Sequence, residues 1–304
     1  MKNNLIIGIT FSHPHLEHLG LDKQKSLKKA LAMNFSHIRL GAYWSEIEKI
    51  KNKHDFSDLL EILEQCEKEK QPIVMTVGVK APRWPEFYWP EYIKEKNTEN
   101  KNTQKNIIYF IKKTVKTLQK FSCITHWQIE NEPLDPSGPS NKSISLDFLK
   151  QEISLVKKLD NRPVIINLWG NNFISRKFFQ PTEKIADIIG LDFYPKQFVK
   201  NILRKNIYIN YHGPHQSKSA IKKLLNKSSK PVWITELQAE PWEKNEQGYL
   251  SKNPKSISPQ QLEKNIQQAS KLPIQEILLW GFEYWLWQEK NGNSEYLEIV
   301  EKHL

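Results

Sequence analysis

The feature that constrains this chain most is an alternation. Short apolar runs of β character recur along it, each followed by enough chain for a helix. Eight such runs stand at residues 5–10, 37–41, 73–79, 125–130, 164–168, 188–193, 232–235 and 276–282. Seven are rich in Ile, Val, Leu or aromatic residues, the composition of parallel strands buried on both faces. Helical periodicity fills five intervals, over 22–33, 56–70, 106–121, 146–159 and 259–271, the first opening on an Asp22 cap. Eight β/α units predict an α/β fold, a single closed (β/α)8 TIM barrel, which takes about 250 residues. The chain has 304 and no Gly/Ser-rich linker, so one domain is expected over 1–304. The alternative, an open doubly wound sheet, usually carries a Gly-rich phosphate turn after its first strand. Here that strand runs into Thr10-Phe11-Ser12-His13-Pro14, and no such glycine motif occurs. No nucleotide or other cofactor is therefore expected.

Composition narrows the classes further. The hydrophobic fraction of 38% supports a globular core, and 45 basic against 34 acidic side chains leave a charge of +11. The lysines scatter over expected helix faces (Lys112, Lys113, Lys116, Lys120; Lys222, Lys223, Lys227) without any nucleic-acid-binding signature, so they read as a solvated surface and no nucleic-acid partner is expected. No run of about 18 apolar residues exists, which argues against a membrane span. The N-terminus lacks a secretory pattern, and the two cysteines, Cys66 and Cys123, sit in apolar or helical surroundings. A cytoplasmic monomer with reduced thiols is the expectation.

In a barrel, chemistry sits at the C-terminal strand ends, and that is where the unusual residues cluster. The second run ends near Arg39, and the third leads into Lys80 and the segment 83–90. The fourth ends in Glu130-Asn131-Glu132-Pro133, and the fifth in Asn167-Leu168-Trp169-Gly170-Asn171-Asn172. The sixth ends in Asp192-Phe193-Tyr194, the seventh in Thr235-Glu236, and the eighth in Trp280-Gly281-Phe282-Glu283. Glu132 and Glu236 each close an apolar strand, where a purely structural barrel needs no acid. Strands four and seven of an eight-strand ring face one another across its mouth. Two carboxyl groups held about 5–5.5 Å apart are what retaining glycoside cleavage requires.

With Asn131-Glu132-Pro133 and Ile234-Thr235-Glu236 in register, the sequence resembles the clan A glycoside hydrolases, and most closely the cellulase family, glycoside hydrolase family 5. The resemblance implies a glycosidase acting on a β-linked oligosaccharide or small glycoside, with Glu132 as general acid/base and Glu236 as nucleophile. It also implies Arg39 and Tyr194 as partners of the nucleophile and Asn131 as donor to the sugar 2-hydroxyl. Two departures from the family 5 pattern stand out. No His follows the third run, and Asp192 occupies the place of a His on the sixth.

Ten tryptophans is a high load, and flat rings beside polar groups suit sugar faces. Trp280 is the expected platform under the sugar at the point of cleavage. Trp84, Trp89, Trp169, Trp242 and Trp285 are further cleft candidates, while Trp127 and Trp233 are assigned to the core. Glu240 and Glu283 are candidate ligands of sugar hydroxyls, and segment 83–90 a partial lid. Two rival readings stay open. His13, His15 and His18 after the first run resemble part of an amidohydrolase metal set, but its remaining ligands are missing, so no metal is expected. A non-catalytic carbohydrate-binding barrel is the other, although it has no need of a carboxylate beneath the anomeric carbon.

Overall fold

The computed structural model describes residues 6–170, 173–202, 205–210, 225–243 and 250–304. Its strands are β1 (Ile6–Thr10), β2 (Ile38–Gly41), β3 (Ile73–Val77), β4 (Ile124–Ile129), β5 (Val164–Trp169), β6 (Ile188–Phe193), β7 (Lys196–Ile202), β8 (Lys205–Asn210), β9 (Val232–Gln238) and β10 (Glu276–Trp280). Eight of them hydrogen-bond in the order β1-β10-β9-β6-β5-β4-β3-β2 and close into a parallel barrel; β7 and β8 form a separate antiparallel hairpin. The chain is thus a (β/α)8 barrel, as the alternation of runs predicts. The hairpin is an addition that the alternation does not predict, so the seventh and eighth apolar runs are β9 and β10.

The described chain folds as two compact units. One, within 38–169 and 173–190, is built on β2 to β5, paired in parallel from Ile38↔Ile73 through Gln128↔Ile165. Every residue of β3 is buried, as expected of a strand covered on both faces. Helix Ser57–Lys68 covers the sheet with Leu59, Ile62, Leu63 and Cys66, one stripe at helical spacing. Helix Lys101–Leu118 begins five residues before the expected start at 106, because the Asn100 side chain accepts the N–H groups of Asn102 and Thr103. Helix Leu146–Leu159 is capped by Ser145.

The other unit, within 1–37, 170–172 and 191–304, holds β1, β9 and β10 in parallel register. Its helix Pro259–Ala269 starts on Ser258, whose hydroxyl accepts Gln261 N–H, with Pro259 in the first turn. The eighth run does not continue to residue 282. β10 stops at Trp280, and helix Phe282–Lys290 begins after Gly281, whose φ is +151°. A Cβ there would lie 2.6 Å from the Ala239 carbonyl group, so only glycine lets the chain turn this close to its neighbour.

No described helix is long and apolar enough to cross a membrane. Both cysteines are buried and free. Asn171, Asn172, Lys222 and Lys223, named above from the sequence, lie outside the described residues.

Candidate active site

In the β2–β5 unit, four polar side chains stand inside otherwise apolar strands and the turn after them, and they bind one another. Arg39, on β2 and fully buried, donates through Nε to Gln128 Oε1 at 2.8 Å and through Nη2 to Asn131 Oδ1. Gln128 Nε2 donates to Asn167 Oδ1 at 3.0 Å, and Asn167 Nδ2 donates to Asn131 Oδ1 at 2.9 Å. Arginine can only donate, so its contact fixes which end of the Asn131 amide is oxygen. With Oδ1 occupied by Arg39 and Asn167, Nδ2 is the end left to present a donor.

The turn after β4 carries Glu132. Glu130 and Glu132 both have left-handed backbone, φ +59° and +43°. Non-glycine residues there cost about 1–3 kcal/mol each and persist only where the surroundings impose them. Here Glu130 N–H bonds to Val77 O at 2.9 Å, Asn131 N–H to Lys80 O at 2.7 Å, and Glu132 N–H to Asn167 Oδ1 at 2.9 Å. Glu132 itself is 7% exposed. The Glu130 carboxyl turns back under β3 and accepts the N–H groups of Val79, at 3.0 Å, and Lys80. Burial pushes it up to about 7, against the pull of those donors. Beside it, the buried Glu152 carboxyl is held well above the usual carboxylate range by desolvation and then by the charge of Glu130. Burial likewise raises Asp135, whose carboxylate accepts Trp169 N–H at 2.9 Å.

Of the aromatic candidates in this unit, Trp84 is 63% exposed, Trp89 and Trp169 are half-buried, and Trp127 is core. Trp84 sits on a loop held by hydrogen bonds from Ala81 N–H to Glu86 O and from Tyr88 N–H to Val79 O.

In the other unit, β9 carries Glu236, 3% exposed. The Tyr194 hydroxyl donates to its Oε2 at 2.5 Å, which is the kind of partner expected for that carboxylate. One residue earlier, the Thr235 hydroxyl donates to Asp192 Oδ1 at 2.5 Å, so the aspartate in the place of a histidine braces β9 against β6. Trp280, 8% exposed, donates its indole N–H to Glu240 Oε1 at 2.7 Å. The rings of Trp280 and Trp242 both meet the Tyr194 ring edge-on. Two candidates sit deeper than expected. Glu283 has no exposure, and its Oε1 accepts Ser12 N–H at 2.6 Å, tying the end of β1 to helix Phe282–Lys290. Trp285 is also fully buried and donates to Ala239 O.

His13, His15 and His18 lie on one short helix, with the rings of His15 and His18 stacked. Among the described residues, no group of three or more His, Cys, Asp or Glu side chains is arranged to hold a metal ion.

Sequence reasoning set Lys80, Glu130 and Asn167 at strand ends without giving them a part in this site, and gave Gln128 none. The available signal was polarity at buried strand positions, since Gln128 and Asn167 each stand between buried apolar neighbours on β4 and β5.

The family model for glycosyl hydrolase family 10 matches residues 6–295. Among solved structures, a glycosylated endo-β-1,4-xylanase of family 10 from Gloeophyllum trabeum superimposes with a TM-score of 0.60 at 12% identity, over 92% of this chain and 85% of that one. A GH5_18 protein from Bifidobacterium longum, in complex with Manβ1-4GlcNAc, gives 0.63 at 12% identity, over 91% and 68%. The β-galactosidase of Rahnella sp. R3 gives 0.59 at 11% identity, over 91% of this chain; the chain spans only 50% of that enzyme's length. At these identities the likeness is one of fold. No curated protein matches the sequence.

Proposed function

The chain belongs to glycosyl hydrolase family 10, and from that membership we propose that it cleaves a β-linked oligosaccharide or small glycoside with retention, Glu132 serving as acid/base and Glu236 as nucleophile. Family 10 replaces the family 5 assignment drawn from the sequence. Asn131-Glu132-Pro133 and Thr235-Glu236 mark the clan as a whole, and the two missing histidines were already at odds with family 5. Membership makes the chain a glycosidase and leaves no place for the amidohydrolase reading.

In the first step, a Glu236 oxygen bonds to the anomeric carbon as the bond to the leaving-group oxygen breaks, and Glu132 gives that oxygen its proton. In the second, water attacks the anomeric carbon, Glu132 takes the water's proton, and the bond to Glu236 breaks. The observation that carries the assignment is the Tyr194 hydroxyl on Glu236 Oε2. A donor on one oxygen orients the carboxylate and leaves the other oxygen for attack. The remaining amide end of Asn131 supports a hydrogen bond to the 2-hydroxyl that strengthens as the ring gains positive charge. Trp280, tethered by Glu240, supplies a flat face for the same sugar, and exposed Trp84 one for a neighbouring sugar. Half-buried Trp169 completes the proposed set, in one catalytic domain that acts as a monomer and needs no cofactor.

Activity against aryl β-glycosides and β-linked oligosaccharides, including xylo-oligosaccharides in view of the Gloeophyllum enzyme, tests this reading. Glu236→Gln is expected to stay folded and lose roughly 10³-fold or more in kcat. Glu132→Gln is expected to keep far more activity on substrates with good leaving groups than on those with poor ones. Equal losses on both would remove Glu132 from the acid's role, and no turnover by wild type of any glycoside would end the proposal.

A further inference from the structure

One residue outside the reacting pair contacts all three residues of the turn that carries Glu132: Glu130 and Asn131 through its backbone, and Glu132 through its side chain. Lys80 has no exposure. Its backbone N–H is accepted by the Glu130 carboxyl, its carbonyl accepts Asn131 N–H at 2.7 Å, and its ammonium donates to Glu132 O at 2.6 Å. The same ammonium donates to Asp135 O at 3.0 Å and lies 3.6 Å from Glu86 Oε2, which balances its charge. It therefore ties the chain on both sides of Glu132 to the loop after β3.

The local backbone is shaped for this grip. Gly78, at φ +136°, passes so close to the Glu130 carboxyl that a Cβ would lie 2.2 Å from its carbon. Only glycine lets the carboxyl reach the N–H groups of Val79 and Lys80. A lysine buried merely to fill space would be a costly filler, because an ammonium out of water requires full hydrogen bonding. Here its donors go to the carbonyls of the turn that is otherwise strained at Glu130 and Glu132.

We propose that Lys80 is a positioning residue of the glycosidase reaction, holding the 130–132 turn so that the Glu132 carboxyl is aimed at the leaving-group oxygen. The inference rests on the acid/base reading of Glu132 given above. Misplacing a reacting group by about 1 Å costs on the order of 10²-fold, and the cost falls on the step that needs the proton.

The test compares Lys80→Met with wild type on two substrates of one sugar, a β-glycoside with an alkyl or sugar leaving group and a dinitrophenyl β-glycoside that leaves without protonation. On the first, kcat is expected to fall roughly 10–100-fold with KM within about threefold; on the second, glycosyl-enzyme formation, read from the burst of dinitrophenolate, should stay within about threefold of wild type. Glu130→Gln, which keeps the shape but weakens the acceptor of the Lys80 N–H, should give the same split at smaller size, and it carries the test where Lys80→Met does not fold. Equal losses on both substrates, or no loss on either, would overturn the positioning role while leaving the glycosidase reading intact. A wild type that turns over neither substrate would instead bring down the reading on which it rests.

Discussion

Tyr194 and Glu236 are 42 positions apart, yet one hydrogen bond of 2.5 Å makes them a unit. A bond to a charged acceptor contributes about 1.5–3 kcal/mol. Tyr194→Phe removes the donor and leaves the ring in place against Trp280 and Trp242. It is expected to lower kcat/KM by roughly 10–100-fold with an unchanged near-ultraviolet circular dichroism spectrum. A loss below about threefold would show that the hydroxyl does not support Glu236 in its proposed role. Asn131 stood out at this scale as an amide directly before a strand-end acid, and its oxygen is taken by Arg39 and Asn167. Nothing local to Gln128 or Asn167 says that their amides meet, 39 positions apart, in one network.

Among elements, the packing of helix Leu146–Leu159 against β4 brings Glu152 beside Glu130, two carboxyl groups out of water. Both are raised above their unfolded values, so the folded protein holds protons that the unfolded chain has released. Stability from this pair is complete below about pH 4.5 and is lost as pH rises through about 7. Thermal unfolding of wild type and Glu152→Gln across that range is expected to show wild type losing ground with rising pH, on the order of 1 kcal/mol per unit for each proton involved. Parallel curves would contradict protons held by this buried pair. The five helices expected from periodicity all form, Lys101–Leu118 starting early at its cap, whereas Phe282–Lys290 was not foreseen. Asn100→Ala, which removes the cap of Lys101–Leu118, should cost about 1 kcal/mol in denaturant unfolding.

At the scale of the molecule, burial controls what the surface offers. Cys66 is fully enclosed and desolvation pushes its thiol up to about 12; Cys123 is raised the same way. Neither should react with a thiol reagent in the native protein within the time that the unfolded chain reacts at both, which mass spectrometry after labelling would read. A cysteine labelled at the unfolded rate would show that the fold opens there. The eight-strand architecture was readable because a strand buried on both faces must be a continuous apolar run, whatever surrounds it. The hairpin β7–β8 escaped because Lys196–Ile202 and Lys205–Asn210 are polar enough to read as loop.

What this sequence determined by itself was therefore what repeats along the chain: the alternation of strands and helices, the barrel it implies, and the two strand-end acids with their clan motifs. Tertiary structure alone decided how the other buried polar groups answer one another, placing Lys80 on residues 130–132, Thr235 on Asp192 and Glu283 on Ser12. The reason is physical. Apolar periodicity is written into neighbouring residues, whereas a buried donor is satisfied by whichever acceptor the folded chain brings within about 3 Å, at any distance along the sequence.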